Sequence, residues 1–181
     1  MAEACLRRAP RVTQSLAVQL APPAARFILR GGDAVMAAAG AAFGPVPSAV
    51  ACRAVSAGAR SALWLGPDEQ LLLAPETQAV ALAVGLAGAL AHLPHSLVEV
   101  SHRQVGILLG GPDAARLLNG ACPLDLSRRE FPPGMCTRTV FGKAEVTLWR
   151  IATESFRLEI GRSFAGYVSE LLAEIGREPR A

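Results

Sequence analysis

The chain has 181 residues, of which 51% are hydrophobic and 18% charged, and this excludes disordered and fibrous classes in favour of a soluble globular chain of one domain or two small ones. Seventeen arginines and the single lysine Lys143 stand against 15 acids, a formal net charge of +3. The arginines are scattered rather than gathered on one stripe, so neither nucleic acid nor an acidic membrane surface is expected as a partner.

The first dozen residues carry Arg7, Arg8 and Arg11, but no apolar stretch long enough for a signal-peptide core follows, which predicts a cytoplasmic protein. Phe27-Ile28-Leu29-Arg30 is an extended run ending in Gly31-Gly32-Asp33-Ala34, and the Ala-rich sequence after it reads as a helix with Asp33 as its N-cap. Gly40, Gly44, Pro45 and Pro47 break the apolar segment 34–52, and segment 79–91 is too short to cross a bilayer, so both read as core elements. A β-like stretch at 49–55 leads to Ala62-Leu63-Trp64-Leu65, a Gly66-Pro67-Asp68-Glu69 turn, a strand at 70–74 and a helix at 76–91, interrupted at Pro94.

The same order of events then returns. A strand at 105–109 runs into Gly110-Gly111-Pro112-Asp113, and a short helix at 115–119 stops at Gly120. Stretch 138–141, the strand Val146-Thr147-Leu148-Trp149, a polar turn at 152–154, a strand at 156–160 and a helix at 164–175 complete the second copy. The Leu-Trp pair recurs in what reads as the same slot. Each half is strand, helix, three strands, helix, an α+β unit of ferredoxin-like character. The predicted organisation is an N-terminal arm at 1–23, a first α+β subdomain at 24–92 and a second at 96–181.

No catalytic constellation emerges from the residues. The glycine pairs complete neither a phosphate-binding loop nor G-x-G-x-x-G, and Asp33 and Asp113 would repel a phosphate. Cys5, Cys52, Cys122 and Cys136 lack metal-ligand spacing and are expected to be reduced thiols. His92 and His95 flank Pro94, which forbids the helix a shared metal would need, while alternation along Val98-Glu99-Val100-Ser101-His102-Arg103 sets His102 on the sheet face opposite Ser101 and Arg103. Cys122 and Cys136 would need a nearby base to be nucleophiles, and Lys143 sits in a solvated turn between Gly142 and Ala144.

Four ordered blocks nevertheless form a recognisable series. They are Glu99-Val100-Ser101-His102-Arg103, Cys122-Pro123-Leu124-Asp125-Leu126, Phe131-Pro132-Pro133-Gly134-Met135-Cys136-Thr137-Arg138-Thr139, and Arg162-Ser163-Phe164-Ala165-Gly166-Tyr167, preceded by Leu63-Trp64-Leu65-Gly66-Pro67-Asp68-Glu69. This succession resembles the gamma subunit family of bacterial heterotetrameric sarcosine oxidase, over about residues 63–172. The resemblance implies a cofactor-free relative of the glycine-cleavage T-protein/TrmE-type folate-binding fold. It also implies a complex that oxidatively demethylates sarcosine to glycine, produces hydrogen peroxide and passes the one-carbon unit to tetrahydrofolate. FAD, FMN, NAD, zinc and tetrahydrofolate are then expected in the alpha, beta and delta subunits, with no catalytic, cofactor or metal residue in this chain.

The expected role is therefore non-catalytic support of an oxidoreductase assembly, with the isolated chain inactive. The alternative is a stand-alone folate-binding module or small aminomethyl transferase, which would need an acid to hold the pterin. Only Glu99 and Asp125 lie near the motif blocks, in no matching pattern. Arginine and large aromatic side chains are favoured where proteins meet. The expected subunit interface accordingly comprises Ser101, His102, Arg103, Cys122, Pro123, Asp125, Arg138, Arg162, Ser163 and Phe164, set against the possibility that the arginines pair internally with Glu99, Asp125 or Glu159.

Overall fold

The computed structural model of the chain describes residues 17–177. In chain order its elements are β1 (Ala17–Leu20), β2 (Ala24–Arg30), α1 (Asp33–Phe43), β3 (Ala54–Ala57), β4 (Arg60–Gly66), β5 (Glu69–Pro75), α2 (Ala79–Leu90) and β6 (Ser96–Glu99). There follow β7 (Gln104–Gly110), α3 (Ala114–Asn119), β8 (Cys136–Phe141), β9 (Ala144–Ala152), β10 (Ser155–Gly161) and α4 (Ala165–Ile175). Short 3-10 turns at Glu76–Gln78, Ser101–Arg103 and Arg162–Phe164 lead into α2, β7 and α4.

The strands form two antiparallel five-stranded sheets, ordered β6-β2-β5-β4-β3 and β1-β7-β10-β9-β8. Position by position the two orders are the same, so the doubled α+β pattern of the sequence is a doubled connectivity. Each copy has a leading strand outside the strand, helix, three strands, helix pattern, that of the second copy overlapping the start of the alternating run at 98–103, and these two strands are exchanged. β1, which opens the first copy, pairs with β7 (Ala17 opposite Gly110, Leu20 opposite Ile107), while β6, which opens the second, pairs with β2 (Ser96 opposite Arg30, Glu99 opposite Phe27). Matching backbone bonds extend both pairings, Ala21 N–H to the Gly106 carbonyl and Val100 N–H to the Arg26 carbonyl, each at 2.8 Å.

The exchange sets the unit boundaries. One compact unit is Pro23–Ser101; the other joins the segment ending at Pro22 to everything from His102 onward. The sequence division at 24–92 and 96–181 differs from this in placing Ser96–Glu99 with the second half and β1 in a separate arm. Most of that arm, residues 1–16, lies outside the described residues. We refer to the two units as N-terminal and C-terminal.

In each unit the helices cover one sheet face. Ala25, Phe27 and Leu29 of β2, Ala62 of β4, and Leu72 and Ala74 of β5 meet Val35, Ala39 and Phe43 of α1 and Leu82, Leu86 and Leu90 of α2. The i, i+4, i+8 spacing of those leucines puts them in one row along α2. The C-terminal core is built alike from Ile107 and Leu109, Val146 and Leu148, Phe156, Leu158 and Ile160, with Leu117, Val168, Leu172 and Ile175 from the helices.

Several local expectations are corrected. The residue capping α1 is Gly32, in extended conformation, and Asp33 is the first helical residue. Strand β3 begins at Ala54, because a turn occupies the preceding residues. Ser101–Arg103 is a 3-10 turn, so no strand alternation sets His102 opposite its neighbours. Gly120 ends α3 in a right-handed conformation (φ −62°), and its value there is room, since a Cβ would lie 2.6 Å from Ile175 Cγ2.

The two tryptophans also occupy different slots. Both β4 and β9 bulge one residue before their ends: Trp64 faces Gln70 just before one bulge, and Arg150 faces Phe156 just before the other. Trp149 lies one residue earlier, opposite Arg157, and a one-residue step moves a side chain to the other sheet face. The true counterpart of Trp64 at the bulge is Arg150.

Candidate subunit interface

Arg150 organises the segment that carries two of the family-like blocks. Its residue is 3% exposed, and its guanidinium donates to the carbonyls of Leu126 (3.1 Å), Ser127 (3.3 Å) and Phe131 (2.7 Å) through Nη1, and of Thr153 through Nε (3.1 Å) and Nη2 (2.6 Å). The planar fork can serve so many acceptors because its donors diverge in one plane. Its carbon sits 4.7 Å from the Phe156 ring centroid. Burial, and then the nearby Arg128 charge, lower its pKa from the usual arginine value, yet an arginine keeps its proton throughout the physiological range. The backbone around it is tied too, Arg150 N–H to the Met135 carbonyl and Gly134 N–H to the Arg150 carbonyl. Sequence reading missed this residue, since a lone arginine after Leu-Trp carries no pattern; its place beside the bulge is the signal, and that requires the register.

The expected interface residues are divided by the fold. Ser101 is half-buried and structural: its hydroxyl accepts from Arg26 N–H at 2.9 Å and donates to Glu99 Oε1 at 2.9 Å, fixing the end of β6. His102 and Arg103 are exposed in the turn before β7, and Arg162, Ser163 and Phe164 are exposed in the turn after β10. Gln104 pairs with Gly161, so these two turns lie side by side at one sheet end. Cys122, Pro123 and Asp125 follow α3, beyond the opposite end of β7, a strand of seven residues spanning about 23 Å at some 3.3 Å per residue.

Cys122 belongs to the hydrophobic core, 5% exposed, with its sulfur 3.8 Å from Thr139 Oγ1; Pro123 and Asp125 are exposed, and Asp125 Oδ1 accepts from Ser127 N–H at 2.8 Å. Arg138 is exposed on β8. The internal pairings considered for the arginines do not form at Arg103 or Arg162, which have no ion pair among the described residues. Glu159 is paired instead with Arg157, at 2.6 Å, and both are largely buried. Gly106, directly opposite Glu159, gives this pair room: a Cβ there would stand 3.0 Å from Glu159 Oε1. Among the described residues no group of three or more metal-capable side chains occurs, and no helix is long and apolar enough to cross a membrane.

Residues 30–178 match the model of the sarcosine oxidase gamma subunit family. The chain belongs to that family. It is 35% identical over 144 residues to the sarcosine oxidase subunit gamma of Corynebacterium sp. (strain U-96), covering 80% of this chain and 68% of the relative. A chain of the heterotetrameric sarcosine oxidase from Corynebacterium sp. U-96, solved with pyrrole 2-carboxylate, superposes with a TM-score of 0.84 at 28% identity, covering 99% of this chain and 95% of that one. The glycine cleavage aminomethyltransferase T of Bartonella henselae shares the fold, with a TM-score of 0.68 at 14% identity over 93% of this chain and 48% of that one. The α+β architecture inferred for the sarcosine oxidase gamma family from the sequence is therefore the one observed.

Proposed function

We propose that this chain is the non-catalytic gamma subunit of a heterotetrameric sarcosine oxidase. Its alpha, beta and delta partners hold FAD, FMN, NAD, zinc and tetrahydrofolate, oxidise sarcosine to glycine with formation of hydrogen peroxide, and pass the one-carbon unit to tetrahydrofolate. Gamma supports their assembly in the cytoplasm. The observation that carries the reading is where the acids near the family blocks go: Glu99 accepts from the Ser101 hydroxyl, which itself accepts from Arg26 N–H, and Asp125 accepts from the Ser127 amide, so both are engaged in local structure. A carboxylate holding a pterin ring would have to be free and enclosed, which does not fit exposed Glu99 and Asp125. Arg103, Arg162 and Phe164, exposed side by side and without internal ion pairs, supply the planar charge and aromatic area that interfaces favour.

The test is co-expression with the other subunits. The purified gamma chain alone should show no flavin absorbance and consume no oxygen with sarcosine, while the complex should do both. Replacing Arg103 and Arg162 together by Ala should reduce gamma co-elution at least tenfold in size-exclusion chromatography and leave the circular dichroism of the isolated chain unchanged. A stoichiometric yellow chromophore in isolated gamma, or tight tetrahydrofolate binding by it, would replace this reading with the stand-alone module.

A further inference from the structure

The chain has one lysine, Lys143, and one tyrosine, Tyr167, and the fold brings them together. Lys143 lies in the two-residue turn between β8 and β9, and Tyr167 is in the first turn of α4. The Lys143 backbone N–H donates to the Tyr167 hydroxyl at 3.1 Å. The ring also stands over the neighbouring glycine, where a Cβ on Gly142 would lie 3.3 Å from Tyr167 Cζ. Neither side chain belongs to the hydrophobic core of the C-terminal unit. Lys143 is exposed and Tyr167 is 38% exposed, so a small reagent reaches both.

The two side chains have complementary reactivity. A lysine amine condenses with carbonyl compounds to Schiff bases, whereas a guanidinium, held protonated, is a poor nucleophile. Seventeen arginines and one lysine thus leave an aldehyde a single side-chain amine to condense with. The ring carbons beside a phenol hydroxyl are electron-rich and attack the imine so formed. The backbone hydrogen bond holds the Lys143 Cα within about 5 Å of the Tyr167 hydroxyl oxygen, and the flexible four-carbon stem can fold back to bring its amine beside the ring.

We propose that Lys143 and Tyr167 form a covalent capture site for a one-carbon aldehyde. This rests on the reading of the chain as a subunit of a complex that oxidises an N-methyl amine. Two-electron oxidation of such an amine gives a methylene iminium, which water splits into the amine and formaldehyde when tetrahydrofolate does not take the carbon. Lys143 Nζ bonds to the aldehyde carbon, and the oxygen leaves as water, giving a methylene imine. The Tyr167 ring carbon next to the hydroxyl-bearing carbon then bonds to the methylene carbon, the C=N electron pair returns to nitrogen, and the proton displaced from the ring is taken up there. The product is a Lys–CH2–Tyr bridge, formed without net oxidation or reduction, that ties the β8–β9 hairpin to α4.

Formaldehyde itself is the first probe. The full chain treated with a stoichiometric amount should gain about 12 Da, the mass of formaldehyde less water, and keep it through dialysis. Proteolysis and mass spectrometry should then yield a peptide pair joined at Lys143 and Tyr167. Lys143→Arg, which keeps the charge, should lower the linked yield at least tenfold, and Tyr167→Phe should leave only an adduct on Lys143 that dialysis removes. A gain independent of Lys143, as from the terminal amine, or modification of Lys143 without the link to Tyr167, overturns the inference. In the assembled complex, turnover of sarcosine without tetrahydrofolate should build the same bridge, and added tetrahydrofolate should suppress it at least fivefold. A complex that releases the aldehyde yet leaves the pair unmodified also overturns the inference. If no complex assembles, the subunit reading fails by itself, and the formaldehyde treatment of the single chain still decides the chemistry of the pair.

Discussion

Each unit uses one arginine to tie its irregular connection to its sheet, and the two do so to different depths. In the N-terminal unit the half-buried Arg60 donates from Nη1 to the Phe43 carbonyl and from Nε to Gln78 Oε1, both at 2.8 Å, holding the end of α1 to the turn before α2. In the C-terminal unit α3 has 6 residues where α1 has 11, and a long segment takes the place of the missing turns. Arg150 clamps that segment from the interior through five hydrogen bonds. A duplicated scaffold can therefore keep its strand order and bulges while a change in a single column, Trp64 to Arg150, supports a new loop. That loop carries two of the blocks that resemble the family.

The comparison predicts unequal damage. Arg150→Ala leaves buried carbonyls without donors and opens a cavity beside Phe156, and should destabilise the chain by about 3 to 5 kcal/mol, lowering Tm by roughly 10 °C. Arg60→Ala removes bonds nearer to water and should cost about 1 kcal/mol. The shift caused by Arg150→Ala should be the same from about pH 5 to 9: burial lowers the folded-state pKa, but folded and unfolded guanidinium both remain protonated below it, so no proton is exchanged on unfolding. Differential scanning fluorimetry at three pH values checks both points. Equal effects of the two substitutions would show that the loop is held by other contacts.

A second pair of positions isolates packing from backbone conformation. Gly58 and Gly142 open equivalent hairpin turns at φ 58° and 59°. A Cβ at Gly58 meets nothing, whereas at Gly142 it would collide with the Tyr167 hydroxyl and with Leu171 Cδ2 at 2.7 Å. Gly58→Ala should therefore cost about 1 kcal/mol, from the left-handed backbone alone. Gly142→Ala should cost about 2 kcal/mol, because the Tyr167 and Leu171 side chains must also move aside and the bond from Lys143 N–H to the Tyr167 hydroxyl is disturbed. Chemical denaturation of the two variants measures the difference. If they are equal, the Tyr167 and Leu171 side chains move aside without penalty.

These residues also mark how far the sequence could be read. The order of strands, glycine turns and helices was legible because side-chain alternation, glycine pairs and apolar rows are local signals. The exchange of β1 and β6 was not, since each is a four-residue strand whose partner is chosen by tertiary pairing. The Trp64 and Trp149 echo misled because it ignored face: only the register shows that the bulge aligns Trp64 with Arg150. Of the expected interface, the fold brings Arg103 and Arg162 together and withdraws Cys122 into the core, a distinction that residue type does not carry.

The smallest effects are expected where both units place an ion pair at the same turn. Arg30 meets Asp68 at 3.1 Å, and Arg128 meets Glu154 at 3.6 Å, with every partner about half exposed or more. The backbone carbonyls of Asp68 and Glu154 do the structural work, accepting from Gly31 N–H at 3.0 Å and Gly111 N–H at 2.9 Å, and these bonds survive side-chain truncation. Water and salt screen the exposed charges, and ordering two long side chains offsets much of their attraction. Asp68→Ala and Glu154→Ala should each cost less than about 0.5 kcal/mol. Asp68→Ala should be the larger of the two because its pair is shorter, and both effects should vanish in about 1 M salt, where the screening length falls to about 3 Å. A salt-independent loss of more than about 1 kcal/mol at either site would mean that the carboxylate holds the turn itself, making the side chain part of the duplicated framework.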